Sequence, residues 1–176
     1  MRYPALLLAL GSMLVASVAL AAEDPPPTPP PAQVKALAGC WSGKGTVMGK
    51  PVAITLEAGP AAGGAMLLVE AGSHAEADPA DVYAAHLLFG GRAVRDGEPA
   101  SIVGFWADSF GGDGASMGRG ASTADGFEVA YPYGDAAFVN RWTVAQDKVA
   151  WSIVMRGVSG KEQDFARYAL VRTACK

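Results

Sequence analysis

Histidine and cysteine are scarce in this sequence, two of each in 176 residues, and that scarcity excludes most familiar reactive sites. His74 and His86 both lie in the first half of the chain, and with scattered serines they offer no Ser-His-Asp arrangement. The segment SHAEADPADVYAAH gathers His74, Glu76, Asp78, Asp81 and His86. Their spacing matches no recognised ligand pattern, so the segment reads as a solvated connection and no metal is expected. His86 shares its face with Val82, Ala84 and Leu88, which suits a half-buried, hydrogen-bonded histidine. A basic patch is missing too: 14 Lys and Arg are spread among 17 Asp and Glu, for a formal net charge of −3, and nucleic acid is excluded as a partner. The glycine-rich run GGDGASMGRG (111–120) lacks the Lys-Ser/Thr of a phosphate loop and precedes no helix, so it reads as a hairpin tip. No catalytic residue and no cofactor is assigned from these features.

Long apolar runs are absent after the first twenty residues. At the start, Arg2 precedes an apolar stretch from Ala5 to Leu20, ending in the small-residue triplet Ala19, Leu20, Ala21. That order is the pattern of an export signal over 1–21, and it implies a bacterial protein that is periplasmic or secreted, with no stable membrane insertion once the signal is removed. Residues 22–34 follow as a proline-rich linker. Proline fixes φ and removes amide donors, so EDPPPTPPPAQ should be an extended spacer. The rest, 35–176, has the size of one domain with a core of its own.

The tetrapeptide Leu37, Ala38, Gly39, Cys40 matches the site at which exported proteins receive lipid on cysteine. Glu23, Asp24, the prolines and Lys35 separate it from the apolar run, whereas a lipidated cysteine follows that run directly, so the match reads as chance. Cys40 is then free to pair with Cys175. An exported chain with an even cysteine count favours one disulfide, and this one would bracket the whole domain.

Gly, Ala and Val are plentiful, Lys and Glu are few, and short apolar runs recur between turn residues. Ten strands are read, at 40–48, 51–58, 64–71, 82–89, 101–109, 115–122, 126–133, 136–145, 148–156 and 162–173. A segment over 32–37 has room for one helical turn that caps the domain. The links are too short for crossover helices, so the strands form an antiparallel meander. An even number of up-and-down strands brings the start of the first beside the end of the last, where Cys40 and Cys175 sit. The expected fold is all-β, a closed antiparallel up-and-down barrel of about ten strands. The strands at 64–71 and 82–89 are apolar on both faces, which leaves room for an end helix or a homodimer against them.

The opening L-x-G-x-W-x-G, here Leu37, Gly39, Trp41 and Gly43, resembles the start of calycin-type barrels such as lipocalins and fatty-acid-binding proteins. The segment SIVGFWADSFGGDGASMGRG, then FVNRW and GKEQDFARYALVR, resembles the bacterial family termed the domain of unknown function numbered 1579, itself similar to ten-stranded nitrobindin-like barrels. For nitrobindin the resemblance implies a haem on a histidine near the C-terminus and an enzyme acting on reactive nitrogen species. Here the stretch from Lys161 to Lys176 has no histidine, and Tyr168 is the remaining candidate, a less common ligand.

Trp106 and Asp108 are two apart on one strand and share a face, as do Asn140 and Trp142 on a later one, with Trp151 on the next. With Trp41, they form the candidate ligand-binding set if those faces point inward: indole rings with a carboxylate and an amide, suited to a small apolar or amphipathic molecule. The competing reading is that the tryptophans fill the barrel, leaving a structural or interaction module of the cell envelope. Arg141 alternates with Asn140 and Trp142 and reads as a surface arginine; inward, it would need an acid such as Asp108 or Glu162.

Overall fold

Alternating apolar residues bounded by glycine, proline and aspartate turns produce strands, and in the computed structural model, which describes residues 27–92 and 101–175, ten of them close into one ring. They are β1 (Gly39–Val47), β2 (Lys50–Ala61), β3 (Met66–Ala75), β4 (Val82–Arg92), β5 (Ser101–Asp108), β6 (Ser116–Ser122), β7 (Gly126–Tyr133), β8 (Ala136–Val144), β9 (Lys148–Arg156) and β10 (Glu162–Thr173). Each pairs antiparallel with its sequence neighbours, and β10 returns to pair with β1. The closed up-and-down barrel expected from the sequence is the fold. Strand positions agree to within a few residues; β2 and β3 run further than expected because their ladder continues from Val52 opposite Ala75 to Ala61 opposite Met66.

The expected helical turn is present as α1 (Ala32–Lys35). It begins inside the stretch read as an extended linker, since Pro31 sits at its N-cap and its carbonyl accepts from the amides of Val34 and Lys35. Val34 and Leu37 are fully buried and close one end of the barrel. The signal over 1–21 and the first part of the linker lie outside the described residues.

The closing seam explains the opening motif. Gly39 has φ +122°, a conformation that disfavours any side chain, and a Cβ on Gly43 would run into the backbone carbonyl of Ala169 on β10. Trp41 lies between them, fully buried, its indole N–H donating to the Leu37 carbonyl at 2.8 Å. Over the indole, at 4.0 Å from the ring centre, sits the Arg172 guanidinium, which also donates to the carbonyls of Ala38 and Gln146. Just past this seam Cys40 and Cys175 are joined by a disulfide with Cα atoms 5.2 Å apart. Cys40 therefore belongs to the barrel wall.

Outside the sheet, Arg141 faces solvent as expected. It makes a two-pronged contact with Glu162, at 2.7 and 2.9 Å, and a third with Glu128 at 2.6 Å, while Arg156 reaches Glu162 at 2.9 Å. These four side chains flank outward-facing Val139 and Val154, which are buried. Hydrogen bonds from Arg141 and then Arg156 hold the Glu162 carboxyl down at about 2, from an ordinary value of 4.5.

Two predictions follow from closure and from this cluster. The disulfide spans a sequence separation of 135, and replacing both cysteines by serine should lower the unfolding free energy by about 4 to 5 kcal/mol in the chain-entropy account, read from urea denaturation; an unchanged midpoint would mean the seam's hydrogen bonds suffice. Because the folded carboxyl of Glu162 titrates below the unfolded one, its contribution is fully present above pH 4.5 and is lost as pH falls toward 2. Thermal melts across that window should fall less steeply for Glu162→Gln than for the wild type.

Candidate functional site

Register sets four large rings side by side inside the barrel. Phe127 on β7 lies opposite Trp142 on β8, Trp142 opposite Trp151 on β9, and Trp151 opposite Tyr168 on β10. Trp142 stacks on Trp151 at 4.3 Å between ring centres and on Phe127 at 5.8 Å, and Tyr168 lies 4.9 Å beyond Trp151. Phe89 meets Phe127 and Trp142 edge-on from the other side of the barrel. This belt fills the cross-section, and below it Trp41, Leu37 and Val34 complete a solid half.

Above the belt the barrel is hollow. A cavity of about 610 Å³ opens at the end carrying the β1–β2, β3–β4, β5–β6, β7–β8 and β9–β10 links. Trp151 lies at its floor, and Tyr83, Trp106, Tyr131, Phe138 and Phe165 are among the rings of its wall. Its polar focus is Asp108, the last residue of β5. One carboxylate oxygen accepts from the Tyr83 hydroxyl at 3.1 Å and the Trp106 indole N–H at 3.0 Å; the other accepts from the Phe110 amide at 3.0 Å. The last contact is an Asx turn that starts the loop to β6. Burial, and next the Asp108 charge, push the Tyr83 phenol above its ordinary value, so it remains a proton donor to that carboxylate. Burial raises the Tyr131 phenol as well.

Of the six residues proposed as a ligand-binding set, Trp106, Asp108 and Trp151 line this cavity, and Trp41, Asn140 and Trp142 do not. All six belong to the barrel interior, but Trp41 lies at the packed end, and Trp142 is sealed within the belt. Asn140 is fully buried beneath the lining and acts on it indirectly: its side-chain oxygen accepts from the Trp151 indole N–H at 2.8 Å, fixing the floor. The Asn140 amide nitrogen, the Trp142 indole nitrogen and the Tyr131 hydroxyl have no hydrogen-bond partner among the described residues. The tryptophans thus divide: Trp41 and Trp142 fill the packed half, while Trp106 and Trp151 border the cavity.

Tyr83, Tyr131, Phe138 and Phe165 were not anticipated from the sequence. Phe138 precedes Asn140 by two and Tyr131 follows Phe127 by four, so strand alternation contained both. Phe165 and Tyr168 have odd spacing yet both turn inward, because the β9–β10 ladder shifts register between Asp164 and Ala166.

The cavity does not fit a haem of the nitrobindin kind. Both histidines are on the outer surface, where His86 pairs with Glu70 at 3.2 Å, so His86 is exposed and not half-buried. Tyr168, the remaining candidate, is buried in the belt against Trp151 and does not line the cavity. Among the described residues no group of His, Cys, Asp and Glu is placed to hold a metal ion, and no helix is long and apolar enough to cross a membrane. Leu88, on one of the two-sided apolar strands, lies with Phe105 of β5 and Met117 of β6 along an outer groove.

No family model matches the chain, and no curated protein matches it significantly. Solved structures share the fold. Rv2717c from M. tuberculosis superposes with a TM-score of 0.58 at 18% identity, covering 78% of this chain and 93% of that one. The S-type phycobiliprotein lyase CPES from Guillardia theta gives 0.55 at 14% identity, covering 81% and 92%. Both likenesses are to the calycin-like barrel.

The division of the interior can be tested by truncation. Trp142→Ala should cost about 3 to 5 kcal/mol, since it opens a hole in a packed layer, whereas Trp106→Ala should cost clearly less because that ring already borders open space. Urea denaturation measures both; equal losses would contradict a solid half and a hollow half.

Proposed function

We propose that this chain is an exported calycin-like barrel that takes a small apolar or amphipathic molecule into its open end and holds it without transforming it. The observation that carries the reading is the cavity of about 610 Å³, walled by aromatic rings around one anchored carboxylate. Its size lies in the ordinary range for small-molecule pockets, and apolar walls with few fixed polar groups are the usual composition of such sites. Rigid rings at the floor give a pre-organised surface, which limits the ordering cost of binding.

Residues 1–21 as an export signal and the proline-rich stretch ahead of α1 as a spacer complete the reading, and a disulfide belongs in the oxidising compartment that export would reach. Membership of the family termed the domain of unknown function numbered 1579 is part of the same proposal and rests on the segments quoted above. Of the fold neighbours, one is named an S-type phycobiliprotein lyase, and the likeness to it is one of fold.

Trp106 and Trp151 border the cavity, so a bound molecule should change indole emission. Titration with a panel of fatty alcohols, retinoids and aromatic amphiphiles, read by tryptophan fluorescence and native mass spectrometry, should give a one-to-one adduct together with an emission change. If no member of the panel produces either signal, the ligand-binding reading is lost.

A further inference from the structure

We propose that the cavity selects organic cations: molecules with an alkylammonium or similar positive group on an apolar body. The inference rests on the ligand-binding reading and narrows it by charge.

The charged groups bordering the cavity are Asp108 and Asp113, and among the described residues no lysine, arginine or histidine lines it. Basic residues near that end are turned away or engaged elsewhere. Lys44 pairs with Glu76 at 2.7 Å, Arg141 and Arg156 are held outside by Glu128 and Glu162, and Lys50 and Lys161 are exposed. The three groups that donate to Asp108 are a phenol, an indole and a backbone amide. All three are neutral, so they orient the carboxylate without cancelling its charge. An ionised carboxylate has about four acceptor positions, and three are taken here, which leaves one for a ligand.

The ring faces add to this. Trp106 gives its N–H to Asp108 while its ring borders the cavity. An indole face attracts a cation through its quadrupole, and donating to an anion makes the ring more electron-rich. Aromatic walls beside a carboxylate are the arrangement that recognises quaternary ammonium groups. A carboxylate or phosphate ligand would instead meet two negative side chains in a partly water-excluded space with no counter-charge.

The test uses the purified disulfide-bonded protein and three probes with one tail: octyltrimethylammonium, 1-octanol and octanoate, titrated near neutral pH by calorimetry and tryptophan emission. The expected order is the cation at least tenfold tighter than octanol, with octanoate weakest. In Asp108→Asn the cation-to-octanol affinity ratio should fall at least fivefold. Asp113 is exposed, so Asp113→Asn tests the charge at a position where the fold is not at stake, and added salt should lower the wild-type ratio. A ratio below threefold in the wild type, or octanoate as the tightest probe, overturns the cation inference while leaving ligand binding intact. Failure of all three probes to bind also overturns the cation inference, and the ligand-binding reading is then decided by the wider panel above.

Discussion

The pairing of β1 with β10 is the contact on which the rest of the structure depends. Every other strand pairs with a sequence neighbour through a short link, whereas this pair joins the two ends of the domain. Without it the sheet would have two long free edges and no inside. The residues along it are accordingly specialised: Gly43 lets the two backbones approach, Trp41 and Arg172 stopper the barrel beside the seam, and the disulfide ties its margin. An apparent lipid-attachment motif is in fact the first turn of this closure.

Once the ring is closed, register decides what the inside contains. Residues directly opposite one another on adjacent antiparallel strands bring their side chains into contact, so four rings drawn from β7 to β10 become a single belt. A ten-stranded barrel is wide, and one such belt, with Phe89 facing it, is enough to block it. Below, α1 and Trp41 add a second layer of filling; above, the β6 residue that borders the cavity is the small Ser116, which cannot reach across the axis. The cavity is therefore a consequence of where bulk was placed along each strand.

Much of this was legible in the sequence because it depends on local chemistry. Turn residues marked ten strands, even strand count implied adjacent ends, and two cysteines at those ends agreed with closure. Alternation grouped Trp106 with Asp108 and Asn140 with Trp142 on shared faces but left open which way those faces point; the structure turns them inward. Height along the axis was not legible, because it depends on how far each strand is shifted against the next, and alternation says nothing about that shift. Trp41 and Trp106 look equivalent on a face-by-face reading, yet they lie at opposite ends. Phe165 was hidden for a related reason, since a register shift within β10 breaks the period-two pattern on which such readings rely.

The polar groups inside follow the same axis. At the fully enclosed level the sequence places Asn140, a neutral side chain whose oxygen serves Trp151; an ionised group there would carry the full cost of desolvation. The carboxylate is placed instead at the end of β5, where the wall opens and a loop amide can hold it. Charge at the mouth and rings at the floor give the cavity a direction. A molecule with a polar head and an apolar body can satisfy both only one way round, with its head beside Asp108 and its body against Trp151. On the proposed ligand-binding reading, the asymmetry that leaves the barrel half hollow would also set which end of a guest enters first.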